Sequence, residues 1–216
     1  QPHSGIDESG KGDYFGPLVI AGVYTDGEST RSLIEAGVMD SKRVSPSDRI
    51  RTLAGEIRKT RGVVESVVLI GPERSNDLYE RFTNLNELLA WGHAKAIEEL
   101  SERVPDCPRA LSDQFADSRV LQRALERKGV GLELQQRTKG ESDVAVAAAS
   151  ILAREAFVKW MVRAAEQWEI PLALGAGPPV LEAGRIFLER HGVQELCKVA
   201  KMHFKTTNQL TGDRMK

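Results

Sequence analysis

Cysteine is scarce in this sequence, with only Cys107 and Cys197 among 216 residues. The two lie far apart and outside any C-x-x-C pattern, so neither a disulfide framework nor a cysteine-rich zinc site organises the chain. Histidine is also sparse: His3, His93, His191 and His203 are scattered along the chain. We interpret all six side chains as ordinary structural residues.

Long apolar runs are absent as well. No uninterrupted stretch approaches the roughly 20 residues of a membrane-spanning helix, and the N-terminus lacks the pattern of a signal peptide. We therefore expect a cytoplasmic protein without membrane contact. Hydrophobic residues make up 41% of the chain and charged residues 28%. These fractions are typical of a globular protein, and the length suits one domain.

A strong net charge is also missing, since the formal value is −1. This argues against a protein held on nucleic acid mainly by global charge. The distribution is uneven, however: residues 1–48 carry eight acidic and four basic side chains, whereas residues 198–216 carry five basic and one acidic. The asymmetry fits an acidic metal-binding pocket with a phosphate-facing rim, and fits a solvated basic tail equally well.

The hydrophobic pattern predicts alternating strands and helices. Strands are predicted at 4–8, 17–24, 63–70, 109–115 and 132–138. Helices are predicted at 47–61, 84–103, 118–128, 143–168 and 180–190. The resulting fold class is α/β, with a mixed central sheet flanked by helices on both faces.

Two adjacent carboxylates, Asp7 and Glu8, end the first predicted strand. Neighbouring side chains on a strand point to opposite faces, so the two acids could share a metal only where the strand runs into a turn. Taken alone, such a pair is most often a charged turn. Here Gly10, Lys11 and Gly12 follow, and glycine lets the backbone approach a ligand closely. This neighbourhood favours metal ligands and phosphate contacts in one loop.

Three further acids occupy positions from which they could lie close to Asp7 and Glu8. Asp113 ends another predicted strand, and Glu141 and Asp143 precede the alanine-rich helix. Strand ends and a helix start can converge at one edge of a sheet. The alternatives are a turn or capping role for Asp113, and helix capping for Glu141 or Asp143, one of which could do only that.

Oxygen ligands without histidine or cysteine suit Mg²⁺ or Mn²⁺ rather than zinc. Two such ions about 4 Å apart can activate a water on one side of a phosphodiester and stabilise the leaving oxygen on the other. A nucleophilic side chain is then unnecessary.

The order of the motifs resembles the type 2 ribonuclease H family. The matching blocks are GIDESGKGDYFGPLV, DSK at 40–42, NLNELL after Thr83, DQFA at 113–116, TKGES with VAVAAASILAR, GAG at 175–177 and HFKTT at 203–207. They run in order over nearly the whole chain. Glycine-lysine-glycine at 10–12, VAVAAASILAR and HFKTT are similar to the ribonuclease HIII branch.

The resemblance implies a ribonuclease H-like fold and endonucleolytic hydrolysis of the RNA strand of RNA/DNA hybrids, giving 5′-phosphate and 3′-hydroxyl ends with Mg²⁺ or Mn²⁺. It places the catalytic metal ligands at Asp7, Glu8, Asp113 and Glu141. Glu141 is chosen because it follows Thr138-Lys139-Gly140 as the fourth acid does in ribonuclease HIII. The spacing to Ser150 is one residue shorter than expected, which keeps Asp143 as the alternative.

The same resemblance implies the substrate contacts and the domain content. The substrate-binding candidates are Gly10, Lys11, Gly12, Ser41, Lys42, Asn84 and Asn86. The glycine-lysine-glycine backbone would contact 2′-hydroxyls, which distinguish RNA from DNA. Ribonucleases HIII usually carry an N-terminal substrate-binding domain. Because the first acid here is residue 7, either the sequence is truncated or the protein lacks that domain. We expect 1–216 to be a single catalytic domain, monomeric and with no obligatory protein partner.

Three alternatives differ from this prediction in the substrate or in the absence of catalysis. A ribonuclease HII-like enzyme would cut at single ribonucleotides in DNA. Another nuclease of the ribonuclease H fold, such as a resolvase or integrase, would cut DNA. A module with a decayed site would bind hybrids without metal-dependent hydrolysis.

Overall fold

A mixed five-stranded sheet forms the centre of the protein. The computed structural model describes residues 1–39, 47–115 and 117–212. The strands are β1 (His3–Ser9), β2 (Leu18–Thr25), β3 (Val64–Ile70), β4 (Arg109–Asp113) and β5 (Glu133–Arg137). Their order is β3-β2-β1-β4-β5, and β4 pairs in parallel with both β1 and β5. All five predicted strands are present.

The described residues contain these helices: α1 (Gly27–Glu35), α2 (Ser47–Lys59), α3 (Pro72–Phe82), α4 (Leu85–Arg103), α5 (Ser118–Lys128), α6 (Val144–Trp168), α7 (Pro178–His191) and α8 (Lys205–Thr211). The sequence predicted α2 and α4 to α7 but not α1, α3 or α8. Gly71-Pro72 stops β3 as expected, yet Pro72 also begins α3, because proline is well suited to the first turn of a helix. In this part of the chain, no helix combines the length and apolarity needed to cross a membrane.

The chain forms two compact units. The first contains Gln1–Glu8, Val19–Val68 and Asn84–Ala156, and the second contains Ser9–Leu18, Leu69–Thr83 and Phe157–Lys216. The first unit holds most of the sheet together with α1, α2, α4, α5 and the start of α6. The second holds α3, α7, α8 and the rest of α6. The expectation of a single catalytic domain stays a prediction.

In the first unit, α6 lies directly on β1 at Gly5. A Cβ atom on Gly5 would stand 2.2 Å from the backbone carbon of Ala145 and 2.2 Å from the backbone nitrogen of Val146. Only glycine permits so close an approach between strand and helix backbones. The alanine-rich sequence of the helix, with Ala145, Ala148 and Ala149 fully buried, serves the same contact.

The opposite face of the sheet is covered by α4. A Cβ atom on Gly22 of β2 would lie 2.7 Å from the Leu100 side chain and 2.9 Å from that of Ile6. Gly5 and Ile6 are adjacent on β1 and therefore face opposite sides of the sheet. Helices thus flank both faces, which confirms the predicted α/β architecture.

In the second unit, the segment around Tyr14 pairs with the segment around Lys201. The Lys201 N–H donates to the Tyr14 carbonyl at 2.9 Å, and the Gly16 N–H donates to the Val199 carbonyl at 2.8 Å. The Lys201 ammonium also donates to the Gly16 carbonyl at 2.6 Å. Lys201 is 1% exposed, so it does not belong to a solvent-facing basic rim.

We expect Gly5→Ala to destabilise the protein by about 2 kcal/mol or more, because the added methyl group must displace the backbone of α6. Gly55→Ala in α2 is the matched control, since a Cβ there meets nothing within 4 Å. It should be neutral or slightly stabilising. Urea unfolding followed by circular dichroism measures both variants. A Gly5→Ala midpoint equal to that of the wild type would contradict the close contact.

Candidate active site

Asp7 lies near the carboxyl end of β1, two residues before Ser9, and Asp113 is the last residue of the parallel strand β4. The register of β1 and β4 pairs Gly5 with Leu111 and Ile6 with Ser112. Asp7 and Asp113 each follow this last pair. The alternation of side chains turns both acids to the face of Gly5, which is the face covered by α6.

Asp7 is a buried acid whose ionisation is unfavourable. Burial raises its pKa to about 6, and the neighbouring negative charge of Glu8 adds to the rise. A side-chain hydrogen bond with Ser150 of α6 opposes the shift, as does the Glu8 N–H, which donates to the Asp7 Oδ1 at 2.8 Å. A positive charge at this position would stabilise the ionised carboxylate.

The fourth candidate acid is carried by a turn attached to Asp113. The Gly140 N–H donates to the Asp113 Oδ1 at 2.8 Å. A Cβ atom on Gly140 would lie 3.1 Å from the Asp113 Cα, so the 3₁₀ turn Gly140–Ser142 packs against the end of β4. Glu141 is the next residue of this turn. It therefore belongs to the same corner of the first unit as Asp113.

Asp143 is occupied by a structural role. Its Oδ1 accepts the N–H groups of Ala145 at 2.9 Å and Val146 at 3.3 Å, which caps α6. The ring of His3 contacts both of its oxygens, at 2.9 and 3.0 Å. Although burial opposes the shift, these bonds lower the pKa of Asp143, and the same contact raises the pKa of His3. Asp143 thus has the capping role that the sequence left open for one of the two acids.

Glu8 points to the other face of the sheet, where His93 of α4 meets it. The Nε2 atom of His93 lies 3.1 Å from the Glu8 Oε2, and its Nδ1 atom lies 3.1 Å from the Ser112 Oγ. The ring is fully buried and lies against Phe115, with centroids 4.6 Å apart. Our interpretation of His93 as an ordinary structural residue missed this contact with a predicted metal ligand.

The sequence did contain a signal for His93. It lies four residues after Leu89 and four before Ile97, on the apolar stripe of a helix whose buried face those two residues share. A polar ring on such a stripe must find a polar partner, because an unpaired buried group is costly. Ser150 stands out in the same way, as the polar residue within the run VAVAAASILA.

The predicted substrate-binding residues are distributed over both units. In the second unit, Gly10 has a φ of +89° and a Cβ there would lie 2.1 Å from the Pro17 carbonyl oxygen, so this glycine is required by the loop itself. The surroundings of Gly12 are open, with nothing within 4 Å of its Cβ position. Lys11 between them is partly exposed.

The other substrate-binding candidates lie at the start of α4 or outside the described residues. The Asn84 side chain accepts the Asn86 N–H at 2.8 Å and thereby caps α4. Glu87, in the first turn of α4, lies 3.7 Å from Arg123. Ser41 and Lys42 lie outside the described residues.

Comparison with known proteins identifies the family. A sequence profile of the Ribonuclease HII family matches residues 4–207. The chain belongs to this family. Ribonuclease HIII of Protochlamydia amoebophila (strain UWE25) is 44% identical over 98% of this chain and 69% of its own length, and Ribonuclease HIII of Chlamydia pneumoniae is 44% identical over 97% and 70%. The chain is a ribonuclease H-type enzyme, as the motifs predicted.

A solved structure agrees with this assignment. The structure of Bst-RNase HIII in complex with Mn²⁺ has a TM-score of 0.89 and 28% sequence identity to this chain, covering 97% of it and 68% of the Bst chain. The predicted ribonuclease H-like fold is therefore confirmed.

The donor set of this family member fits a hard divalent cation. Its candidate ligands offer only carboxylate oxygens. Burial and the negative charge of Glu8 raise the pKa of Asp7, and a bound cation would oppose this rise. Within the described ranges, no three acidic, histidine or cysteine side chains are gathered closely enough to hold a metal ion.

We expect Asp7→Asn to be more stable than the wild type at pH 7.5 without divalent cations, by at most about 3 kcal/mol. Folded Asp7 keeps its proton up to about pH 6, whereas the unfolded carboxyl loses it near 3.8. Wild-type stability is therefore lost as pH rises between these values. Urea unfolding in EDTA at pH 7.5 and pH 3.5 measures the difference, which should vanish at the lower pH.

The matched control is Asp143→Asn, because the pKa of Asp143 is shifted in the opposite direction. This variant should be less stable than the wild type at pH 7.5. An Asp7→Asn protein that is also less stable at pH 7.5 would contradict the electrostatic description of the site.

Proposed function

We propose that this ribonuclease cuts the RNA strand of RNA/DNA hybrids internally, by two-metal-ion catalysis that leaves 5′-phosphate and 3′-hydroxyl ends. The observation that carries the proposal is the corner formed by β1, β4 and the 3₁₀ turn. There Asp7 lies near the end of β1, Asp113 ends the parallel strand β4, and the turn bearing Glu141 is hydrogen-bonded to Asp113. The names of the relatives, Ribonuclease HIII, support the same activity.

Asp7, Glu8, Asp113 and Glu141 are the proposed metal ligands. Bound Mg²⁺ or Mn²⁺ supplies Lewis-acid stabilisation of the phosphate oxygens and a more acidic attacking water. The protein holds two of the carboxylates in place, since Ser150 bonds Asp7 and the Gly140 N–H bonds one oxygen of Asp113. Asp143 is assigned to capping α6 rather than to the metal.

The proposed substrate contacts include the glycine-lysine-glycine loop. The backbone at Gly10, Lys11 and Gly12 contacts ribose 2′-hydroxyls, and the open surroundings of Gly12 leave room for a sugar. The other proposed contacts are Ser41, Lys42, Asn84 and Asn86. We further propose that residues 1–216 act as one catalytic domain and as a monomer. The chain spans 69–70% of the length of the relatives named above.

Substitution of the acids tests the metal site. Asp7→Asn and Glu141→Gln should each reduce Mg²⁺- or Mn²⁺-dependent hybrid cleavage by at least about 100-fold, because each removes a charged ligand. Asp143→Asn should keep cleavage close to the wild-type rate, since asparagine also caps helices well. A gel assay on a labelled hybrid of about 20 base pairs measures all three. If Asp143→Asn abolishes cleavage while Glu141→Gln does not, the fourth ligand is Asp143.

Comparison of substrates tests the specificity. We expect efficient cutting of a continuous RNA/DNA hybrid, poor cutting of a DNA duplex with one ribonucleotide, and no cutting of an all-DNA duplex, because several successive 2′-hydroxyls are contacted. The three substrates are compared in one assay with Mg²⁺ and with Mn²⁺. Preferential cutting at the single ribonucleotide would indicate an enzyme of the ribonuclease HII type. Equal cutting of DNA would indicate a different nuclease of this fold.

A further inference from the structure

His93 links the two strands that carry the candidate metal ligands. Its Nε2 atom lies 3.1 Å from Glu8 on β1, and its Nδ1 atom lies 3.1 Å from the hydroxyl of Ser112 on β4. The same hydroxyl lies 3.0 Å from the carbonyl oxygen of Asp113. The chain of contacts therefore runs from the backbone of one candidate ligand to the side chain of another.

The chemistry of the partner fixes the direction of the bond to Glu8. An ionised carboxylate only accepts hydrogen bonds, so the Nε2–H of His93 donates to Glu8. The Nδ1 atom contacts the Ser112 hydroxyl, whose one proton serves either this nitrogen or the carbonyl oxygen of Asp113. Both ring nitrogens thus have a polar partner inside the protein, as a ring with no solvent exposure requires.

The ring has little freedom to turn away from Glu8. It is fully buried in α4, and Phe115 lies against it at a tilt of 47°. Phe115 belongs to the same DQF segment that begins with Asp113. A glutamate side chain has three rotatable bonds and therefore many possible orientations. A rigid donor on one of its oxygens favours some of these orientations over others.

We propose that His93 is a positioning residue that orients the Glu8 carboxylate for a divalent cation, with Ser112 fixing the ring. The inference rests on the proposed function, because it takes Glu8 as a metal ligand. Hydrogen-bonded partners of ligating carboxylates commonly set metal affinity, and their loss costs about 10- to 100-fold. His93 does not contact the reacting atoms in this role.

Mn²⁺ binding to the full chain, measured by isothermal titration calorimetry at pH 7.5, tests the proposal. His93→Leu should weaken the Kd for Mn²⁺ about 10- to 100-fold. His93→Gln, whose amide N–H can replace the Nε2–H donor, should recover most of the affinity. Ser112→Ala should give an intermediate loss. The control is Ile97→Val, a change at a buried site four residues further along α4, which should bind Mn²⁺ like the wild type.

A second readout separates positioning from general damage to the fold. The Mn²⁺ concentration for half-maximal hybrid cleavage should rise in His93→Leu in proportion to the Kd, while the KM for the hybrid at saturating Mn²⁺ stays unchanged. Urea unfolding of every variant shows whether stability follows the same order. If His93→Leu does not fold, the glutamine and Ser112→Ala variants decide, with losses of Mn²⁺ affinity expected only in the latter.

Mn²⁺ binding and hybrid cleavage together distinguish failure of the positioning role of His93 from failure of the proposed function. Unchanged or tighter Mn²⁺ binding in His93→Leu, with a wild type that binds Mn²⁺ and cleaves hybrids, overturns the positioning role alone. A glutamine variant as defective as the leucine variant also overturns it. A wild type that binds Mn²⁺ in a His93-dependent way but does not cleave hybrids overturns the proposed function and supports the positioning role. A wild type that does not bind Mn²⁺ overturns both.

Discussion

The close contact between α6 and Gly5 of β1 determines where Asp143 and Asp7 lie in the first unit. His3 lies two residues before Gly5 on β1 and contacts Asp143, which precedes α6. Asp7 lies two residues after Gly5 and is hydrogen-bonded to Ser150 of α6. From Gly5 to Asp7 the strand advances about 6.6 Å, and from Ala145 to Ser150 the helix advances about 7.5 Å. The two distances are similar, so Asp7 and Ser150 come to lie next to each other. One glycine and a run of alanines thereby determine which acid caps the helix and which reaches the carboxyl end of the strand.

The alternation of side chains then divides the neighbouring acids between two helices. Asp7 faces α6 and Ser150, whereas Glu8 faces α4 and His93. Each helix presents one polar side chain within an apolar surface. Because the two carboxylates contact different helices, their relative position depends on how both helices pack against the sheet. The link from His93 through Ser112 to β4 strengthens this dependence on the α4 side.

The sequence predicted the parts of this arrangement that depend on neighbours along the chain. All five strands and the longer helices follow from hydrophobic period and turn residues. The helices that were missed, α1, α3 and α8, have 9, 11 and 7 residues and bury few apolar side chains, so few apolar residues mark them in the sequence. Asp7, Glu8, Asp113 and Glu141 were predicted as metal ligands from strand ends and family motifs. The contact of His93 with Glu8 joins positions 85 residues apart, which no local spacing reveals.

Burial affects two ionisable groups, Lys201 and Asp7, in different ways. In the second unit, burial lowers the pKa of Lys201 to about 7, with Asp13 partly opposing the shift. The Gly16 carbonyl accepts a hydrogen bond from either the ammonium or the neutral amine, so this anchor survives loss of the proton. Asp7 differs, because its donors favour only the ionised form and still do not outweigh burial and the charge of Glu8. More hydrogen bonds alone would leave two adjacent negative charges in place. A divalent ion bound there would reduce that repulsion as well, which supports the proposal that this corner binds metal.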